Sequence, residues 1–199
     1  IDDTLQAQTE VALGAQTGAI LLLDLNQDSA QIVAMSSHPT YDPNRLDDEF
    51  DQLTAADDAP LLNRVAQGQY QPGMVLQPFL IAAALDAGEI ALDGIVARPD
   101  RTIVIGDGDV RATTHCQTAP PSPTTWADVL VHQCPAPMTE LGEQMGMDGL
   151  TAVFDQFQLT QPPSLPLDTS TPPGDDLTDP AQAAIGQDSL VLTPLQVGL

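Results

Sequence analysis

Four residues in the middle of the chain carry the side chains best suited to chemistry: His115, Cys116, His132 and Cys134. Two imidazoles and two thiols form a donor set that suits tetrahedral zinc. The adjacency of His115 and Cys116 works against that use, because neighbouring side chains are awkwardly placed to reach one ion together. Cys134, with His132 two positions before it, is also the one candidate for a thiol nucleophile. Such a dyad needs hydrogen-bond contact and surroundings that lower the thiol pKa. No lysine or arginine lies near Cys134, and a strongly negative chain raises that pKa instead. The residues therefore predict neither a metal site nor a thiol catalyst, and leave the state of the two thiols open.

A helix must stand behind a second pair, Met74 and Gln77. Leu76, Phe79, Leu80, Ala83, Ala84 and Ala87 recur at helical spacing, and Gly88 is a natural stop. Pro78 fits only in a first turn, where backbone N–H groups lack intrahelical partners. The helix is thus expected to start near Met74, with Met74 and Gln77 on one face of its first turn. On pattern alone this is a core helix.

The stretch Tyr70-Gln71-Pro72-Gly73-Met74-Val75-Leu76-Gln77-Pro78-Phe79 resembles the nucleophile segment of penicillin-binding-protein transpeptidases. In that family a Pro-Gly turn delivers a serine, and a lysine follows three residues later in an S-x-x-K pattern. Side chains three apart on a helix are neighbours, so the lysine can take the serine's proton. The resemblance puts Met74 at the serine position and Gln77 at the lysine position. A thioether has no proton to lose and an amide is no base near neutral pH. Both residues roughly keep the length of an extended side chain, so packing can survive where catalysis cannot.

Further segments in the family's order extend the resemblance over almost the whole chain. Ile1-Asp2, Leu5-Gln6 and Glu10 resemble its opening helix, and Gly18 to Asp24 with Gln31 to Ser37 resemble its first two strands. Asn26-Gln27-Asp28-Ser29 between them has the composition of a hairpin turn. His38-Pro39-Thr40-Tyr41-Asp42-Pro43-Asn44 resembles a P-x-Y-D-P-N loop, and Leu61-Leu62-Asn63-Arg64 an L-x-N-R element. Gly186-Gln187 and Leu192-Thr193-Pro194-Leu195-Gln196 resemble the elements that precede the last catalytic motif. The family's second motif, S-x-N, falls on Gln133-Cys134-Pro135 after the helix at Trp126 to Leu130. Gln133 is a weak substitute for its serine, and Pro135 has no polar side chain to replace its asparagine. The third motif, K-T-G, lies beyond Gln196 in the family, and this sequence contains no lysine.

The resemblance implies an α+β class: a partial transpeptidase/β-lactamase-like fold, with an antiparallel hairpin around Ile20 and Val33 and a helical subdomain centred on Leu76 to Ala87. It implies a single domain over residues 1–199, trimmed before the K-T-G strands, whose open sheet edge invites cover by a missing segment, a partner or a second copy. It implies a place outside the cytoplasm, anchored through a segment outside this sequence. In that compartment a Cys116–Cys134 disulfide is the default reading, and some relatives carry cysteines at similar places. The leading functional expectation is a non-catalytic module, a pseudoenzyme, in a cell-wall protein. Its partner would be a peptidoglycan stem peptide or another envelope protein, with no cofactor. Two alternatives are a segment or altered form of an active peptidoglycan D,D-transpeptidase, and an envelope-protein-binding module unrelated to peptidoglycan.

Composition bounds the partners independently. The formal net charge is −23, from 28 acidic residues against five arginines. That excludes nucleic acid and anionic lipid as main partners. The runs Asp47-Asp48-Glu49 and Asp57-Asp58 are expected on exposed loops, without the spacing of a calcium loop. His38 is expected to be exposed. No apolar run is long enough to span a bilayer. Elsewhere, residues 101 to 113 alternate as a hairpin about Gly106-Asp107-Gly108. Ala119 to Pro123 reads as a stiff linker. Helical patterns cover Met138 to Met145 and Leu150 to Phe157. Pro162 to Pro180 is loop, with a helix returning near Ala181.

Overall fold

The computed structural model of the chain describes residues 1–26, 30–106, 111–163, 165–170 and 177–199. They form two compact units, each built mainly from consecutive sequence.

The first unit holds Ile1–Tyr70 and Leu192–Leu199, with the segment that follows Pro162. Strands β1 (Gly18–Asp24) and β2 (Gln31–His38) pair antiparallel, from Gly18 opposite His38 to Asp24 opposite Gln31, as the family resemblance implied. The tip at residues 27–29, read as a turn from composition, lies outside the described residues. The register shifts between Leu22 and Leu23, which leaves Val33 as an extra residue. Its carbonyl is not orphaned, because the Asp2 N–H donates to it at 2.7 Å.

Helix α1 (Asp3–Leu13) is capped by the Asp2 carboxylate, which accepts from the Thr4 and Leu5 N–H groups. It is fixed to β2 by Gln6, whose side chain takes the Met35 N–H and donates to the Met35 carbonyl and the Ser36 hydroxyl. Thr9 and Ser36 pair their hydroxyls below it at 2.6 Å.

Helix α2 (Leu46–Ala55) corrects one expectation: Asp47, Asp48 and Glu49 form its first turn rather than a loop. Three carboxylates there suit the partial positive charge of a helix N-terminus. Asp57 and Asp58 do lie in an exposed turn. His38 is half-buried at the end of β2, not exposed, because the strand carries it against the following loop.

The second unit holds Gln71–Gln161 and the segment that ends at Val191. Its centre is helix α3 (Gln77–Asp86), where Leu80, Ile81 and Ala84 are buried. The helix begins at Gln77 and not at Met74, since Gly73–Leu76 forms a preceding 3-10 turn. Pro78 explains the shift. It has no N–H to offer the Met74 carbonyl across a full α-turn, so the Gln77 N–H takes that carbonyl one residue earlier.

Helix α4 (Trp126–His132) starts from a capping box between Thr125 and Asp128. Helix α5 (Pro135–Gln156) joins the two helical patterns read from the sequence, with a kink where Gly146 takes φ 66°. Phe79 of α3 meets Phe157 edge to face at 4.9 Å, just past the end of α5.

Helix α6 (Pro180–Ala184) packs on α5 across Gly142, where an added Cβ would sit 2.3 Å from the Pro180 carbonyl oxygen. Short strands complete the unit. β3 (Ile95–Val96) pairs with β6 (Thr124–Thr125), and β4 (Ile103–Ile105) with β5 (Ala112–Thr114). The tip of the second pair, residues 107–110, is outside the described residues, as are residue 164 and residues 171–176 of the Pro-rich loop. The first unit closes on helix α7 (Pro194–Gly198), which lies against Leu21 and Leu23 of β1.

Candidate functional site

The second unit brings Met74, Gln77 and Gln133 to one depression of about 400 Å³, completed by Val75, Pro78 and Leu130. Each arrives by a distinct local device. Met74 follows Gly73, whose φ of 57° lies in the left-handed region that glycine enters without strain. The turn is held by Gly186, whose carbonyl accepts the Gly73 N–H at 3.2 Å. Gln71 reinforces it, donating to the Gln187 carbonyl at 3.0 Å.

Gln133 ends α4 in the left-handed region at φ 48°, so the chain reverses there and starts α5 two residues later, after Cys134. Pro135 opens α5 at its first position, where a missing N–H costs nothing, and is buried there rather than lining the depression.

Gln77 is almost wholly buried, at 1% exposure. Its side-chain amide donates to the Val129 carbonyl at 3.0 Å, and the Cys134 N–H takes the same oxygen at 3.0 Å. The amide therefore ties the start of α3 to the end of α4. A buried donor needs such a partner, and this one has it. The Gln77 side chain is thereby committed to holding two helices together.

A second depression, about 270 Å³, shares Met74 and Gln133 and is walled by Thr113 to Gln117. The sequence singled out His115 and Cys116 of this wall for their chemistry, but not the wall's place beside Met74, although the alternation that predicts β5 leads straight into it. Cys116 and Cys134 are joined in a disulfide with Cα atoms 4.0 Å apart, slightly tighter than the usual ~4.4–6.8 Å. The bond fastens the wall to the loop that carries Gln133. The Gln117 N–H adds a bond to the His132 carbonyl at 2.9 Å, and Thr118 pairs its hydroxyl with His132 Nδ1 at 2.8 Å.

With both sulfurs in this bond, neither is free as a zinc ligand or nucleophile. His115 turns its Nδ1 to the Cys116 carbonyl at 2.7 Å and lies 3.9 Å from Asp100. Among the described residues, no group of three or more His, Cys, Asp or Glu side chains is placed to hold a metal ion. Among the described residues the two depressions present a thioether, amides and hydroxyls, with His115 as their one titratable side chain.

Residues 18–197 match the family model described as penicillin binding protein transpeptidase domain. The chain is 28% identical to the peptidoglycan D,D-transpeptidase PbpA of Mycolicibacterium smegmatis, over 98% of this chain and 44% of that protein. Over a shorter stretch, 45% of this chain, it is 35% identical to the peptidoglycan D,D-transpeptidase MrdA of Salmonella typhimurium. Among solved structures it resembles the ceftriaxone acyl-enzyme complex of penicillin-binding protein A from M. tuberculosis. That match has a TM-score of 0.80 and 26% identity, and covers 98% of this chain and 47% of the other. The penicillin G acyl-enzyme complex of the same protein matches with a TM-score of 0.76. The chain spans less than half the length of these relatives.

Proposed function

This chain belongs to the penicillin-binding protein transpeptidase family, and from that premise we propose that it is a non-catalytic module of a cell-wall-associated protein. Its role is structural or that of a binding partner. The observation that carries the reading is the pairing at the start of α3. Met74 lines the depression where the family has a nucleophile, and the Gln77 amide is bonded to Val129 where the family has a base. Acyl transfer needs a group that can lose a proton and a base to take it. Neither side chain supplies one.

The depression itself persists, with uncharged walls and hydrogen-bonding amides, and suits the backbone of a peptide stem. The module works outside the cytoplasmic membrane, anchored through a segment beyond this sequence. Among the described residues no helix is long and apolar enough to cross a membrane.

A second reading, a segment or altered form of an active D,D-transpeptidase, is favoured by one observation: the relatives run to more than twice the matched length. A gene that encodes K-T-G downstream of Leu199, with serine at position 74 in its natural form, would support it. Sedimentation with isolated peptidoglycan sacculi tests the binding role. The chain is expected to co-sediment and to be released by soluble stem peptide. Recovery wholly in the supernatant would favour an envelope-protein partner unrelated to peptidoglycan.

A further inference from the structure

The first unit contains a cavity of about 480 Å³ that none of the family's catalytic positions enters. It lies between α1, the end of β2, the loop that follows β2 and the turn at residues 60–63. A volume of this size falls within the range of small-molecule sites. Four consecutive residues, His38, Pro39, Thr40 and Tyr41, line the cavity, and three of them carry polar side chains: His38, Thr40 and Tyr41. Among the described residues none of those three side chains makes a hydrogen bond. Glu10 also lines the cavity, and its Oε1 accepts from Gln6 Nε2 at 2.9 Å. Its second oxygen has no partner among the described residues.

The chemistry of these walls narrows the ligand. No lysine or arginine lines the cavity, and the chain carries a net charge of −23, so phosphate and carboxylate ligands are disfavoured. Glu10 accepts only, while the imidazole and the two hydroxyls can each donate and accept. The Tyr41 ring and Pro39 supply apolar faces beside these groups. A ligand that fits has hydroxyls along its edge, a C–H face for the ring, and no negative charge.

We propose that this cavity binds an uncharged sugar unit, with its C–H face on Tyr41 and its hydroxyls on Glu10, His38 and Thr40. The site is separate from the depression at Met74, and the proposal does not depend on whether that depression is catalytic.

The test is titration of the whole chain with a tetramer of N-acetylglucosamine, a tetramer of glucose and 1,5-diaminopentane, followed by NMR at the His38 and Tyr41 ring resonances. At least one sugar is expected to shift both rings, with a dissociation constant in the millimolar range. Tyr41→Ala and Glu10→Gln should each weaken that binding about tenfold. Tyr41→Leu keeps apolar volume and replaces Tyr41→Ala if the latter does not fold. Gln133→Ala, at the other depression, should leave the sugar titration unchanged. No ring shift with either sugar, shifts with the diamine alone, or binding by both wall variants as tight as that of the unaltered chain would each overturn the proposal.

Discussion

Gly73 and Gly186 meet backbone to backbone: the Gly73 N–H donates to the Gly186 carbonyl at 3.2 Å, and nothing larger than hydrogen fits on Gly186. A Cβ there would stand 2.4 Å from the Gly73 nitrogen, and its φ of 64° is one that L side chains rarely adopt. The turn that presents Met74 is thus clamped by a residue more than a hundred positions away. Gly186→Ala should destabilise the chain by roughly 2 kcal/mol or more, from strain and displaced backbone together. Gly88→Ala is the control. It has a φ of 72° but open space around it, so it should cost only about 1 kcal/mol. Denaturant melts of the two variants check the ranking, and equal losses would refute the clamp.

The disulfide is expected to stabilise the second unit through its unfolded state. Cys116 and Cys134 close a loop of 18 residues, worth about 3 kcal/mol in the chain-entropy account. Denaturant melts with and without reductant, and of the Cys116→Ser, Cys134→Ser double variant, should both show a loss of this order. A reduced chain as stable as the oxidised one would contradict it.

Two carboxylates make a pH-dependent contribution with a defined sign. Asp128 is held below the ordinary carboxylate range by the Thr125 hydroxyl and then by the Thr125 N–H, which together cap α4. Asp42 is lowered by the Asn44 N–H, with help from the Asn44 side chain and Arg45. A depressed folded pKa means stability that is present above the unfolded value, about 3.9, and is lost as pH falls through the folded one. Relief of repulsion among 28 acidic residues acts in the opposite direction over the same range. The comparison must therefore be made between chains. The stability gap between the natural chain and Asp128→Asn, measured by thermal melts, should be constant near neutrality and should narrow below about pH 4. A gap that widens on acidification would reverse the sign.

Patterns repeated within a few residues were the legible part of this fold. The order of short motifs gave the strands that pair Gly18 with His38, and helical spacing gave the buried positions Leu80 and Ala84. Motif order placed Met74, Gln77 and Gln133, which the fold gathers at one depression.

Features that depend on distant partners were not legible. The contact of Gly186 with Gly73 spans most of the chain, and a lone glycine carries no mark of what lies against it. The bond from Gln77 to Val129 depends on where α4 ends. The acidic run at Asp47 looked like a solvated loop because charge masks the apolar spacing of Leu46, Phe50 and Leu53. The start of α3 was misplaced by three residues, because the effect of Pro78 on the Met74 carbonyl shows only in the hydrogen-bond pattern.

The central claim is that the scaffold has kept its site and lost its acyl-transfer chemistry at Met74 and Gln77, and β-lactam acylation measures this directly. The chain should be incubated with a fluorescent penicillin, run on a denaturing gel and weighed intact. The M. tuberculosis penicillin-binding protein A, solved as a penicillin G acyl-enzyme, serves as the positive control. The account predicts a labelled band and an adduct mass for the control, and neither for this chain. A stable mass increase of one β-lactam on the unaltered chain would show that another residue acts as nucleophile, and would contradict the non-catalytic reading.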